Sequence, residues 1–230
     1  MSGKFVVLFD IDGTLLSTSA TEEDEGRRYV ETIRAVVGKE PRVIPSRFAG
    51  MVDPQICRIL LTELGLSEEE TSHFLPEVLR RMGEDYRTMR KRIVLNSGVT
   101  GLLAILAMSP IHVTGALTGN LVAVADEKLK RASIRDYFLE LYCADNYFDR
   151  TRLVEDAVRQ CMSKYHLDAT QNVLIVGDTP RDVVAANAGH ATPIGIAAGV
   201  YSFNQLEEAG AAHVYPNLEP TKALLEGLRV

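Results

Sequence analysis

Cysteines are few in this chain, and their spacing suits no chemistry. Cys57, Cys143 and Cys161 are the only three, and no C-x-x-C pair occurs among them, which removes the usual zinc and dithiol signatures. They read as reduced, partly buried thiols of a cytoplasmic protein. Long apolar runs are also missing. None approaches the roughly 20 residues needed to span a bilayer, and the strand-like run at the amino terminus reaches Asp10 too soon for a signal-peptide core. Positive charge is in deficit: 25 bases stand against 31 acids, a net charge of −6, with no basic stripe of the kind that binds nucleic acid. An acidic protein does not draw in a phosphorylated ligand by its overall field, so any phosphate site must build positive potential locally from a metal, backbone N–H groups and one or two bases. There is no internal repeat. The one biased segment, Glu22 to Glu25, reads as the start of a solvated helix. His73, His112, His166, His190 and His213 are scattered without ligand spacing and read as structural or surface residues.

What is present is an ordinary globular composition, 46% apolar and 24% charged over 230 residues, enough for one sizeable domain or a core with a smaller insert. Two stretches share one design. Phe5 to Phe9 is a short apolar run that ends in Asp10-Ile11-Asp12-Gly13-Thr14, so the chain leaves a strand where the acids sit. Val173 to Val176 ends likewise in Gly177-Asp178-Thr179-Pro180-Arg181-Asp182. In an open parallel α/β sheet, ligands bind in the crevice beyond the carboxyl ends of the strands, and two such ends bearing carboxylates suggest a cation site. Each stretch has a plainer reading as well. Asp-Gly is a common turn dipeptide, and Asp178 or Thr179 could cap a helix in which Pro180 is the first residue and Asp182 a dipole-favoured acid.

From Ile93 onward strands alternate with helices, which predicts a mostly parallel, Rossmann-like sheet covered on both faces. Residues from about 20 to 92 show only helical patterning. Gly26 to Val37 places Tyr29, Ile33, Val36 and Val37 on one face, Pro41 to Pro45 breaks the pattern, Asp53-Pro54 reads as an N-cap and first turn, and Ser67 to Glu70 opens a helix running toward Arg92. The expected organisation is an α/β core over 1–18 and 94–230, with an inserted helical domain over 19–93.

The two acidic stretches, Asp10 to Thr14 and Gly177 to Asp182, resemble the first and fourth motifs of the haloacid dehalogenase (HAD) superfamily, and the helical block corresponds to the cap that many of its phosphatases carry. The resemblance implies a Mg2+-dependent phosphatase of small phosphomonoesters, similar to the phosphoglycolate phosphatase-like branch. Asp10 is then the nucleophile that forms a phosphoaspartate, and Asp12 the general acid and base. A second acid at that position argues against the dehalogenase branch. The implied Mg2+ ligands are the Asp10 and Asp178 carboxylates and the Asp12 backbone carbonyl, with Asp182 holding a metal-bound water or Asp178 itself. Thr118 stands where the second motif offers a hydroxyl to a phosphoryl oxygen, beside the Gly119 and Asn120 N–H groups.

The third motif ordinarily supplies a lysine, and none occurs between Asp145 and Glu155. Arg150 is the first choice to replace it because it lies nearer the preceding strand end, with Arg152 as the alternative. On the cap, Arg47, Gly50 and Asp53 are candidate substrate contacts in a turn able to reach over the mouth. Two rival readings stay open, a phosphomutase of the same superfamily and a non-catalytic binding protein on a degenerate scaffold. A phosphonate hydrolase is disfavoured because no lysine stands in the turn that contains Arg47. The expected partner is a small phosphomonoester, with neither nucleic acid nor membrane, and the chain as monomer or homodimer.

Overall fold

The computed structural model describes residues 4–17, 22–88 and 93–230. Six short strands form one sheet: β1 (Phe5–Phe9), β2 (His112–Leu117), β3 (Glu140–Tyr142), β4 (Val173–Gly177), β5 (Thr192–Ile196) and β6 (His213–Tyr215). Their order is β3-β2-β1-β4-β5-β6, and every pairing is parallel. The strand and helix alternation read from the sequence requires this, because parallel neighbours need crossover connections.

Side-chain alternation along β1 divides the core in two. Val7 and Phe9 point into a cluster with α5 (Val99–Met108), α6 (Val122–Arg131) and α10 (Lys222–Gly227). Val6 and Leu8 enter the opposite layer with α7 (Arg150–Tyr165) and α8 (Pro180–Ala188). A strand covered on both faces must be apolar throughout, which explains the unbroken Phe5 to Phe9 run. A last helix, α9 (Phe203–Glu208), packs through Leu206 onto Val183 and Val214.

Register decides where the site forms. Phe9 lies opposite Ala116 of β2 and Val176 of β4, so Asp10, Thr118 and Asp178 all leave the sheet within two residues of one level. β1 stands between β2 on one side and β4 on the other, where successive connections run to opposite sides of the sheet and a crevice opens at the strand ends.

Between β1 and α5 the described chain holds only helices: α1 (Glu22–Val37), α2 (Pro45–Phe48), α3 (Asp53–Glu63) and α4 (Glu68–Thr88). The expected continuation of α4 to Arg92 falls on residues 89–92, outside the described residues. Pro45, expected to belong to a break, ends that break by opening the short α2, where its missing N–H costs nothing. Ser67 and Glu70 form a reciprocal cap at the start of α4. Asp53, expected as an N-cap, is instead the first residue of α3, after Val52; its carboxylate is taken by partners on other elements, described below. The four helices close around Tyr29, Ile33, Leu60, Leu61, Val78 and Met82, and Leu121 and Val124 of α6 join that cluster. The insert therefore shares its core with the α/β body. Leu60 is fully buried there, and Leu60→Ala is expected to cost about 2–5 kcal/mol, measured by denaturant unfolding, with insert and sheet melting in one transition.

Candidate active site

The turn after β1 is built by its own backbone. The Asp10 N–H donates to the Val176 carbonyl at 2.8 Å, extending the β1–β4 ladder one residue beyond the strand. The Leu15 and Leu16 N–H groups both donate to the Ile11 carbonyl at 3.0 and 2.8 Å, so the chain folds back on itself at once. Asn96 clamps the turn by donating to the Gly13 and Thr14 carbonyls at 2.7 and 2.9 Å. Gly13 has φ +86°, and a Cβ there would overlap the Asp178 carboxylate. Glycine is required on both counts.

Asp178 follows β4 and accepts a hydrogen bond from Thr14 Oγ1 at 3.2 Å. Thr179 is the N-cap of α8, and Asp182 completes a capping box by accepting from the Thr179 N–H at 3.0 Å. The capping reading of this stretch is thus realised at Thr179 and Asp182. Carboxylate oxygens of Asp10, Asp178 and Asp182 lie within 4.8 Å of one another, and the three residues are 6%, 3% and 2% exposed. Asp10 stands at a strand end, as expected, and is buried there.

Arg150 is the first residue of α7 and is buried. Its Nη2 donates to Asp10 Oδ1 at 3.0 Å and also pairs with the Asp182 carboxylate. Arg152 is exposed and pairs with Glu155, so of the two candidate bases only Arg150 enters the site. Asp149 caps α7 through the Thr151 and Arg152 N–H groups, which fixes the turn from which Arg150 projects.

Burial without enough counter-charge shifts Asp10 and Asp178. Desolvation raises the Asp10 pKa to about 7, against the pull of Arg150 and helped by repulsion from Asp182 and Asp12. Asp178 is pushed well above the ordinary carboxylate range, first by desolvation and then by Asp182 and Asp10. A dry cluster of oxygen donors with too little positive charge is the environment a hard divalent cation fits. Mg2+ prefers such a donor set and needs few protein ligands.

Asp12 lies on the other side of the turn. Its carboxylate pairs with Lys128 of α6, and Lys128 Nζ also donates to Asn120 Oδ1 at 2.8 Å. The Lys128 side chain is 4% exposed. Sequence reasoning missed this residue, although a signal was there: Lys128 falls on the apolar face of α6 with Leu121, Val124 and Ala125, where an unpaired ammonium is costly.

Thr118 follows β2. Its N–H donates to the Tyr142 carbonyl at 2.9 Å, and its hydroxyl accepts from the Asn120 N–H at 3.2 Å. The insert meets this segment through Asp53. The Asp53 N–H donates to the Gly119 carbonyl at 2.7 Å, and its carboxylate accepts from the Leu121 N–H at 3.1 Å, from Tyr29 Oη at 2.6 Å and from Arg28 at 2.8 and 3.2 Å. Gly50 has φ +73°, and a Cβ there would overlap Thr179 Oγ1. Arg47 does not reach the site. It pairs with Glu63 at the surface, where both side chains keep solvent contact, and the turn approaches the strand tips through Gly50 and Met51 instead. A cavity of ≈190 Å³ lies between insert and core, lined by Asp10, Asp12, Thr118, Gly119, Asn120, Arg150 and Asp178 below and by Phe48, Met51 and Ile56 above.

The parallel sheet carries paired acids at its switch point, and the haloacid dehalogenase-like hydrolase model matches residues 7–196. The chain belongs to that family. Solved structures share its fold over almost the full length. A hydrolase from Pseudomonas syringae is 22% identical with a TM-score of 0.70, covering 97% of this chain and 98% of its own. CbbY from Rhodobacter sphaeroides, solved in complex with phosphate, is 17% identical with a TM-score of 0.70, covering 99% and 100%. A predicted phosphoglycolate phosphatase from Haemophilus somnus is 17% identical with a TM-score of 0.69, covering 95% and 96%. No curated protein matches the sequence.

The raised acids carry a signed prediction. With a folded-state pKa of about 7 against an ordinary 3.8, Asp10 holds more proton in the folded than in the unfolded chain between those values, so its contribution makes stability fall as pH rises through that window. Asp178 is displaced in the same direction. Mg2+ is therefore expected to raise Tm more at about pH 8 than at about pH 5, and Asp178→Asn to shrink the difference. Equal Mg2+ shifts at both pH values would place the ion elsewhere.

Proposed function

We propose that the chain is a Mg2+-dependent phosphatase that hydrolyses a small phosphomonoester through a phosphoaspartate at Asp10, in the manner of the phosphoglycolate phosphatase-like branch. One observation carries this reading. Asp10 and Asp178 leave neighbouring strands into a single covered cavity, with Arg150 on Asp10 and Asp12 across the turn held by Lys128.

In the first step a carboxylate oxygen of Asp10 attacks phosphorus in line, the bond to the ester oxygen breaks, and Asp12 gives its proton to the departing alkoxide. In the second, Asp12 takes a proton from water, the water oxygen attacks the same phosphorus, and the Asp10 carboxylate is released with inorganic phosphate. Arg150 places a fixed positive charge beside the phosphoryl oxygens, and the Thr118 hydroxyl, oriented by the Asn120 N–H, and the Gly119 N–H serve as donors to them. Lys128 holds the Asp12 side chain in one orientation. The Asp10 and Asp178 carboxylates and the Asp12 carbonyl would hold Mg2+, with Asp182 behind them, and a bound ion would offset the charge gathered on the phosphoryl group and its neighbours. Helices α1 to α4 act as a cap that keeps bulk water away from the phosphoenzyme. No helix among the described residues is long and apolar enough to cross a membrane. The free Cys57, Cys143 and Cys161 support a cytoplasmic setting.

Phosphate release from p-nitrophenyl phosphate with Mg2+ tests the reading. Asp10→Asn is expected to lower it by about 10³-fold or more while the circular dichroism spectrum stays unchanged; undiminished release would remove Asp10 as nucleophile. Lys128→Met is expected to lower kcat roughly 10- to 100-fold, with partial recovery in Lys128→Arg. An unchanged kcat would reduce Lys128 to a packing residue.

A further inference from the structure

We infer that the site selects phosphomonoesters whose leaving group is uncharged and partly apolar, and disfavours those with a second anionic group on a short chain. The inference rests on the phosphatase reading and names its substrate class.

Charge inside the cavity is the first argument. Among the described residues its wall carries four carboxylates, Asp10, Asp12, Asp53 and Asp178, and two guanidiniums, Arg28 and Arg150; behind the wall Lys128 pairs with Asp12, and a fifth carboxylate, Asp182, pairs with Arg150. Both guanidiniums are already engaged. Arg150 pairs with Asp10 and Asp182. Arg28 grips both oxygens of Asp53, which is 1% exposed. Drawing Arg28 toward a ligand anion would strand Asp53 in a dry site, and Asp53 also anchors the insert to the Leu121 N–H. A bound divalent cation would do no more than offset the excess of acids. The phosphoryl group takes what positive field remains near Arg150, and among the described residues of the wall a second anion has no unmatched cation to meet.

The second argument is the surface that faces away from the strand tips. Val43, Pro45, Phe48, Met51 and Ile56 of the insert line it, with Val200 from the loop after β5. Phe48 and Ile56 are buried and fixed in the insert's core, so the apolar wall is part of the fold and does not turn aside to expose a polar one. The Ser46 hydroxyl is a neutral polar group at the exposed edge. A leaving group that places carbon against this wall gains from burial, whereas a carboxylate there is desolvated without compensation.

A matched pair of esters isolates the charge: 2-phosphoglycolate and its amide have nearly the same shape and differ by one negative charge. With the full-length protein and Mg2+, kcat/KM for the amide is expected to exceed that for the acid by about tenfold or more. Ser46→Lys puts a cation at the exposed edge of the apolar wall and is expected to narrow the ratio about threefold or more. Equal rates, a preference for the acid, or a ratio unmoved by Ser46→Lys would overturn the inference while leaving the phosphatase reading intact. Release of phosphate from neither ester nor from p-nitrophenyl phosphate would overturn both.

Discussion

The fold exists around an electrostatic difficulty: Asp10, Asp178 and Asp182 converge where almost no water reaches them. Carboxylates transferred to such a place lose hydration worth far more than any single hydrogen bond returns, so they must share counter-charge or take up protons. Arg150 supplies part of that charge from the first turn of α7. The remaining deficit shows in the raised Asp10 and Asp178, whose protons a cation would displace. Stability and catalysis pull in opposite directions here. The same crowding that weakens the fold at higher pH would give a cation its hold.

Several unrelated parts of the chain are needed to sustain that crowding. Central placement of β1 brings its tip level with those of β2 and β4, and glycine at position 13 leaves space for Asp178. The insert then excludes water. It is joined to the body by shared apolar packing on Leu121 and Val124 and by the Asp53 carboxylate, which takes donors from α1 and from the start of α6. A helical block held to the sheet through a buried ion pair and a backbone hydrogen bond has a defined position, whereas apolar packing alone tolerates sliding.

The features legible in the sequence were those that local chemistry dictates. Apolar runs ending in Asp-x-Asp-Gly and in Gly-Asp-Thr-Pro read as buried strands that stop at a turn, so local pattern alone put Asp10, Asp12 and Asp178 at strand ends, and the strand and helix alternation predicted the parallel sheet. Arg150 could be chosen over Arg152 because it lies closer to the preceding strand. Contacts between distant segments were not legible. Lys128 meets Asp12 across 116 positions, and nothing near either residue names the other. Arg47 looked like a substrate contact because its turn faces the mouth, but helix geometry sends its side chain to Glu63. The use of Asp53 as a bridge, and no longer as a cap of its own helix, likewise depends on α1 lying beside α3.

Arginine in place of the usual lysine follows from the same crowding. An ammonium is a compact, strongly hydrated charge whose pKa falls on burial, so beneath this insert it would be drawn toward its neutral form when only one acid is ionised. The guanidinium keeps its charge throughout the pH range in which Asp10 titrates, and its planar fork presents several N–H groups, so that Arg150 addresses Asp10 and Asp182 together. Asp182 is also the capping residue of α8. Arg150 thereby connects the first turn of α7 to the first turn of α8 through the proposed nucleophile. The two helices that follow β3 and β4 are fixed relative to each other by the Arg150 guanidinium, so the arrangement that offsets charge at the acid cluster also sets the distance between the strand tips that carry it.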